Sequence, residues 1–162
     1  MTESAAICQY LAARYGPSPL EVTSAEHDFG AYLNWLHFGE ATLTFPQTIV
    51  LRYGRFEAPE RRLPQAAEDY QKWFLARLRA VDAAVGERAW LCAGRFTAAD
   101  ISVGYALLLA EYLGLAPKFS AAVSAYFDRL KQLESFRRSL LAEQQAAILQ
   151  DVDPTPAPLC AN

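Results

Sequence analysis

Gly94-Arg95-Phe96-Thr97-Ala98-Ala99-Asp100-Ile101 is the stretch whose local chemistry decides the fold. Thr97 at an N-cap can accept from the backbone N–H of Asp100, while the Asp100 carboxylate reaches back to the N–H of Thr97. Two donors that a helix start leaves orphaned are thereby satisfied reciprocally. Phe96 precedes the cap and Ile101 occupies the fourth helical position, the pairing of a hydrophobic staple. Behind the cap Ile101, Tyr105, Leu108 and Tyr112 trace a stripe predicted to be buried. A cap inside a bundle contributes about 1–2 kcal/mol. The octet taken alone fits any well-capped helix.

Outward from this point the chain reads as helices joined by short polar punctuation, with almost no period-two alternation to suggest strands. After Pro64, the apolar residues Tyr70, Phe74, Leu78, Val81 and Val85 keep to one stripe until Gly86 supplies a C-cap. Phe119, Val123, Tyr126, Leu130 and Leu133 repeat that geometry after Pro117, and a last helix is expected from about Ser135 to Leu149. Towards the amino end, Ser4 caps a helix through Tyr15 that carries Ile7, Tyr10 and Leu11 on one face and stops at Gly16-Pro17. Thr23 and Glu26 form a second capping box, followed by Phe29, Leu33 and Leu36 at helical spacing in a helix expected to run to about Glu40 or beyond. Pro46 interrupts that pattern, and a basic stretch from Gln47 to Leu63 follows. The tail from Asp153 carries Pro154, Pro156 and Pro158, cannot continue a helix and is expected to be mobile. Short connections between amphipathic helices predict a compact all-α bundle.

Composition removes several function classes. The chain has 162 residues, 52% hydrophobic and 20% charged, the balance of a globular protein. A net charge of −3 with interspersed signs gives no basic field, so nucleic acid is not expected as a partner. The most apolar run, Ile101 to Ala116, is too short and too polar to span a bilayer, so no membrane is expected either. No secretory signal is visible at Met1-Thr2-Glu3-Ser4, which predicts a cytoplasmic protein. Cys8, Cys92 and Cys160 are too few and too widely spaced for a disulfide framework or a metal set and are expected as reduced thiols.

The second informative segment is Glu3-Ser4-Ala5-Ala6-Ile7-Cys8-Gln9-Tyr10-Leu11-Ala12. A helix opening on a hydroxyl and free N–H groups is suited to a carboxylate, and Glu3 can pair with a ligand ammonium; the alternative is an ordinary N-cap. In this order, about ninety residues apart, the two segments resemble the cytosolic glutathione S-transferase family. Tyr32-Leu33-Asn34-Trp35-Leu36-His37-Phe38, Trp73-Phe74-Leu75-Ala76-Arg77-Leu78, Tyr126-Phe127-Asp128-Arg129-Leu130 and Phe136-Arg137-Arg138 are similar to bacterial members. The resemblance runs from Glu3 to about Leu149.

The resemblance implies that residues 1–16 correspond to the last helix of a thioredoxin-like domain, 17–152 to the helical C-terminal domain, and 153–162 to a proline-rich tail. It implies that Glu3 and Ser4 bind the γ-glutamyl end of glutathione, a co-substrate, with no cofactor and no metal. By position it makes Tyr32, Trp35, Phe38 and Tyr112 acceptor-pocket candidates, with His37 beside them, although aromatic residues at helical spacing equally suit a core. Arg52, Arg55, Arg61 and Arg62 can face an anion or simply solvent. In the intact family, a glutathione thiolate attacks a small electrophile. The domain that activates the thiol is expected to be missing ahead of Met1, so no catalytic residue is assigned and the chain by itself is expected to be inactive. A homodimer is compatible with the resemblance, as is a non-enzymatic helical interaction module.

Overall fold

The computed structural model describes residues 1–156 and Leu159, and among these residues there is no strand. Seven α-helices follow one another: α1 (Ser4–Arg14), α2 (Phe29–His37), α3 (Phe45–Leu51), α4 (Pro64–Val85), α5 (Ala98–Tyr112), α6 (Ala121–Gln132) and α7 (Glu134–Leu149). The all-α bundle expected from the periodicity is the fold observed. Residues 157, 158 and 160–162, which include Cys160 and make up half of the predicted tail, lie outside the described residues.

α5 is the hub. Ala98, Ala99, Asp100, Val103, Gly104 and the run from Ala106 to Ala110 are all buried on it. α4 contributes Phe74, Leu78, Val81 and Val85 to the same core, as expected, and α6 contributes the expected Val123, Tyr126 and Leu130 together with Phe127, which the stripe did not include. Tyr70, Phe119 and Leu133 of the expected stripes are only partly buried, and the last two flank α6 rather than lie in it. The stripe expected on α5 is corrected. Ile101 is 39% and Tyr105 58% exposed, Tyr112 is half-buried, and of the four only Leu108 is buried. α5 is apolar almost all round, so periodicity could not choose its inner face. Neighbouring helices approach instead along its small residues, and a Cβ on Gly104 would sit 3.1 Å from Leu130 Cδ1.

Pro46 does not end the second helical run. α2 passes through a π-helical segment, Phe38–Thr44, into α3, where Pro46 occupies one of the first two positions. There its missing N–H costs little. Widening the coil frees carbonyls, and two are taken by hydroxyls: Ser102 Oγ donates to Leu36 O at 2.7 Å and Thr44 Oγ1 to Gly39 O at 2.9 Å. Buried Gln47 then ties α3 to α5, its Nε2 donating to Leu43 O and Ala106 O at 3.0 and 2.9 Å.

Thr23 and Glu26 bond as a capping box would, the Thr23 N–H donating to Glu26 Oε1 at 2.9 Å. What they close is a turn, and α2 starts at Phe29. α1 also differs from expectation, since Glu3 is its N-cap and Ser4 its first residue. It buries Ala5 and Ala12, and Ala5, with Cys8 packed beside it, joins a second cluster with Val22, Tyr32, Leu36, Cys92, Ala98 and Ala99. Tyr10 and Leu11, predicted for its buried face, are 47% and 49% exposed.

Candidate functional site

Asp100 is the most constrained polar group of the bundle. Fully buried, it accepts from four donors: Thr97 N–H at 2.9 Å and Thr97 Oγ1 at 3.1 Å on one oxygen, Leu91 N–H at 3.1 Å and the Tyr126 hydroxyl at 2.9 Å on the other. The capping box of Thr97 and Asp100 is therefore one half of a junction joining the loop before α5 to α6. Burial pushes the Asp100 carboxyl up despite those donors, and burial with the neighbouring carboxylate pushes the Tyr126 phenol well above its ordinary value. Phe96 stacks edge-on against Trp90 with centroids 5.3 Å apart. Phe96 and Ile101 both line one cavity between α5 and α7.

At the other end of the chain Glu3 and Ser4 are exposed where α1 begins, and among the described residues no side chain caps that start. The Ile7 N–H donates to Glu3 O at 2.9 Å, closing the first turn. The N–H groups ahead of Ile7 have no partner within the helix, and the helix dipole favours an anion there. Glu3 and Ser4 thus lie together on an accessible helix start.

The four aromatic candidates separate. Tyr32 is core, 1% exposed within the α1–α5 cluster, with a hydroxyl that has no hydrogen-bond partner among the described residues. Its phenol is pushed up to about 12, chiefly by burial. Trp35 and Phe38 stack edge-on at 5.2 Å and pack half-buried on the main core. Phe38 and exposed His37 border a shallow depression that neither Tyr32, Trp35 nor Tyr112 lines. Tyr112, at the end of α5, feels Glu143 on α7 and Glu111, and burial with those carboxylates raises its phenol. Burial likewise raises both described thiols, Cys8 and Cys92.

The arginines are spoken for within their own turn. Arg52 and Arg61 both pair with Glu57, at 2.9 and 3.2 Å, and Arg62 donates to the carbonyls of Glu57 and Arg55.

Sequence reasoning missed a clasp between the connector after α1 and the turn before α5. Arg95 donates to Pro19 O at 3.0 Å and Glu21 O at 2.7 Å and pairs with Glu26 at 2.8 Å. Asp28 accepts from the Ala93 N–H at 2.6 Å. Ala93 and Gly94 take left-handed conformations, with φ 55 and 63°, that turn those groups toward the connector. Gly94 in the octet was the one sequence signal for that turn. Among the described residues no group of histidine, cysteine and carboxylate side chains is arranged to hold a metal, and no helix is long and apolar enough to cross a membrane.

Comparison with solved structures gives consistent likenesses. Ure2p5 from Phanerochaete chrysosporium, cocrystallised with 1-(S-glutathionyl)-2,4-dinitrobenzene, is 25% identical with a TM-score of 0.79 over 91% of this chain and 70% of that one. The glutathione transferase URE2P8 of the same fungus, with oxidised glutathione, is 19% identical with a TM-score of 0.78 over 91% of this chain and 68% of that one. BphK, a bacterial enzyme of the same kind solved as a ternary complex, is 20% identical with a TM-score of 0.74 over 88% of this chain and 68% of that one. No family model and no curated protein matches.

Proposed function

We propose that this chain, whose fold is that of the helical C-terminal domain of the glutathione transferase family, serves a cytoplasmic glutathione transferase in which Glu3 and Ser4 receive the γ-glutamyl end of glutathione. On this proposal residues 1–16 are the closing helix of a thioredoxin-like domain and 17–152 the helical domain. The observation that carries it is the start of α1, exposed, uncapped by any side chain and led by Glu3 and Ser4. Free N–H groups and the helix dipole favour the α-carboxylate of the γ-glutamyl group, and Glu3 offers its ammonium an opposite charge.

The chemistry of such an enzyme is attack of a glutathione thiolate on a small electrophile, and it needs a group that lowers the thiol pKa. Within the described residues burial raises the phenols of Tyr32, Tyr112 and Tyr126 and the thiols of Cys8 and Cys92. On this proposal the family resemblance assigns thiol activation to a thioredoxin-like domain, and Trp35, Phe38 and Tyr112 remain the acceptor-side candidates beside core Tyr32. The alternative is a non-enzymatic helical module in the same fold. A homodimer suits either role.

Glutathione is titrated calorimetrically into the chain alone and into the chain carrying a thioredoxin-like domain ahead of Met1, with conjugation of a chromogenic electrophile followed in both. Binding and turnover are expected only with the added domain, and Ser4→Ala should weaken binding there. Turnover by the chain alone above the uncatalysed rate overturns the assignment of thiol activation. Failure of Ser4→Ala to alter binding removes the proposed glutathione contact.

A further inference from the structure

The loop ahead of α5 borders a cavity of about 320 Å³ whose walls include Asp28, Arg88, Trp90 and the left-handed turn Ala93-Gly94. That volume lies at the lower end of the roughly 300–1,000 Å³ of small-ligand pockets. The loop is tied down in three directions. Arg129 of α6 donates to Ala89 O at 2.8 Å, the Leu91 N–H donates to Asp100 of α5 at 3.1 Å, and the Ala93 N–H donates to Asp28, the N-cap of α2, at 2.6 Å. The Trp90 indole is held in turn, edge-on to Phe96 at 5.3 Å and with the Arg129 guanidinium 5.9 Å from its centroid. A cavity built this way needs little ordering when it is filled.

Opposite charges share it. Asp28 spends one oxygen on the Ala93 N–H and the other on His27 Nδ1 at 3.0 Å, and a carboxylate has lone pairs for about four donors. His27 first, then the Ala93 N–H, hold its carboxyl below the ordinary value, with Arg88 adding a smaller pull. Arg88 is exposed and, among the described residues, makes no hydrogen bond or ion pair, so its guanidinium donors are open. A carboxylate with spare acceptor capacity and an unengaged cation in one cavity suit a molecule that carries both charges. The guanidinium fork matches a carboxylate, and Asp28 can take an ammonium. A plain anion or a plain cation would each face one wall of its own sign.

We propose that this cavity binds a free α-amino acid, its carboxylate on Arg88, its ammonium on Asp28 and an apolar side chain against Trp90. The site shares no residue with the start of α1, so it is a second place on the chain where an α-amino carboxylate is recognised.

Calorimetric titration of the full chain with phenylalanine tests this, alongside phenylalaninamide, which lacks the carboxylate, and 3-phenylpropanoate, which lacks the ammonium. Phenylalanine is expected to bind about tenfold more tightly than either analogue. Arg88→Gln, an exposed substitution, should weaken phenylalanine about tenfold and bring it level with the amide. Ser4→Ala, at the start of α1, should leave phenylalanine affinity unchanged. An absence of phenylalanine binding overturns the proposal; so does equal affinity for phenylalanine and either analogue, or unchanged phenylalanine affinity in Arg88→Gln. Loss of phenylalanine binding in Ser4→Ala overturns it too, by moving the amino acid to α1. A thermal melt checks that Arg88→Gln folds, and if it does not, the comparison of the three ligands on the native chain decides.

Discussion

The Tyr126 hydroxyl donates to Asp100 Oδ1 at 2.9 Å, so the residue that caps α5 also anchors α6. Removing the carboxylate strands four buried donors at once, each worth about 1–3 kcal/mol when left unpaired. Asp100→Ala is therefore expected to cost at least about 3 kcal/mol, beyond what a lost cap alone costs. Tyr126→Phe removes one donor and should cost about 1–2 kcal/mol. In a double-mutant cycle the two losses should not add, because Asp100→Ala already deprives Tyr126 of its acceptor. Urea denaturation measures all three, and an Asp100→Ala midpoint equal to that of the native chain would falsify this junction.

How legible these features were depended on the distance over which their physics acts. Thr97 and Asp100 are three residues apart, so their reciprocal geometry follows from helix stereochemistry alone. α4 was legible because its apolar residues occupy one face. α5 is apolar on most of its faces, and only its packing partners decide that Ile101 and Tyr105 face outward. Arg95 stood in the quoted octet, but its acceptors Pro19 and Glu21 lie 76 and 74 residues away, and no periodicity announces such a pairing. Pro46 looked like a stop because the π-helical turn that absorbs it depends on Ser102 of α5 accepting the role of donor to Leu36. Glu3 and Ser4 were found as a local motif, whereas the dispersal of the four aromatic candidates required the fold.

Gly39 marks the closest approach of the π-helical segment to α5. A Cβ there would lie 2.6 Å from the carbonyl carbon of Ser102 and 2.7 Å from its oxygen, backbone atoms that cannot swing aside. Gly39→Ala must push the segment off α5 and strain the Ser102–Leu36 bond, for a loss of about 2–3 kcal/mol. Gly30→Ala is the control, since its Cβ would meet nothing within 4 Å. That exposed helical site should gain up to about 1 kcal/mol from the better helix former. Equal melting temperatures for the two variants would contradict the close approach.

Acid should loosen the connector clasp. The Thr23 N–H, and then Arg95, hold the Glu26 carboxyl below its ordinary 4.5, and His27 followed by the Ala93 N–H hold Asp28 below 3.8. A depressed folded-state value means stability that is present above the unfolded value and lost as pH falls through the folded one. Asp100, raised by burial, has the opposite sign: it takes up its proton more readily in the folded chain and offsets part of that loss. The native chain should therefore weaken as pH falls below 4.5, and the double variant Glu26→Gln, Asp28→Asn should show a flatter acid limb. Urea midpoints across a pH series test this; identical slopes would assign acid sensitivity to other groups.

Tyr32 gives a prediction of the opposite sign to most core substitutions. Its ring fills the cluster that joins α1 to α5, while its buried hydroxyl has no partner among the described residues. Burial pushes that phenol up to about 12, the shift expected of a polar group deprived of solvent. Tyr32→Phe keeps the ring and deletes the unsatisfied atom, so the chain should gain about 1 kcal/mol or stay level. The same substitution tests the candidate role of Tyr32 in an acceptor pocket: a purely internal ring leaves conjugation kinetics of the chain carrying a thioredoxin-like domain unchanged. A stability loss in urea denaturation would mean that the hydroxyl holds a partner in solution, and a raised KM for the electrophile would put Tyr32 in contact with substrate.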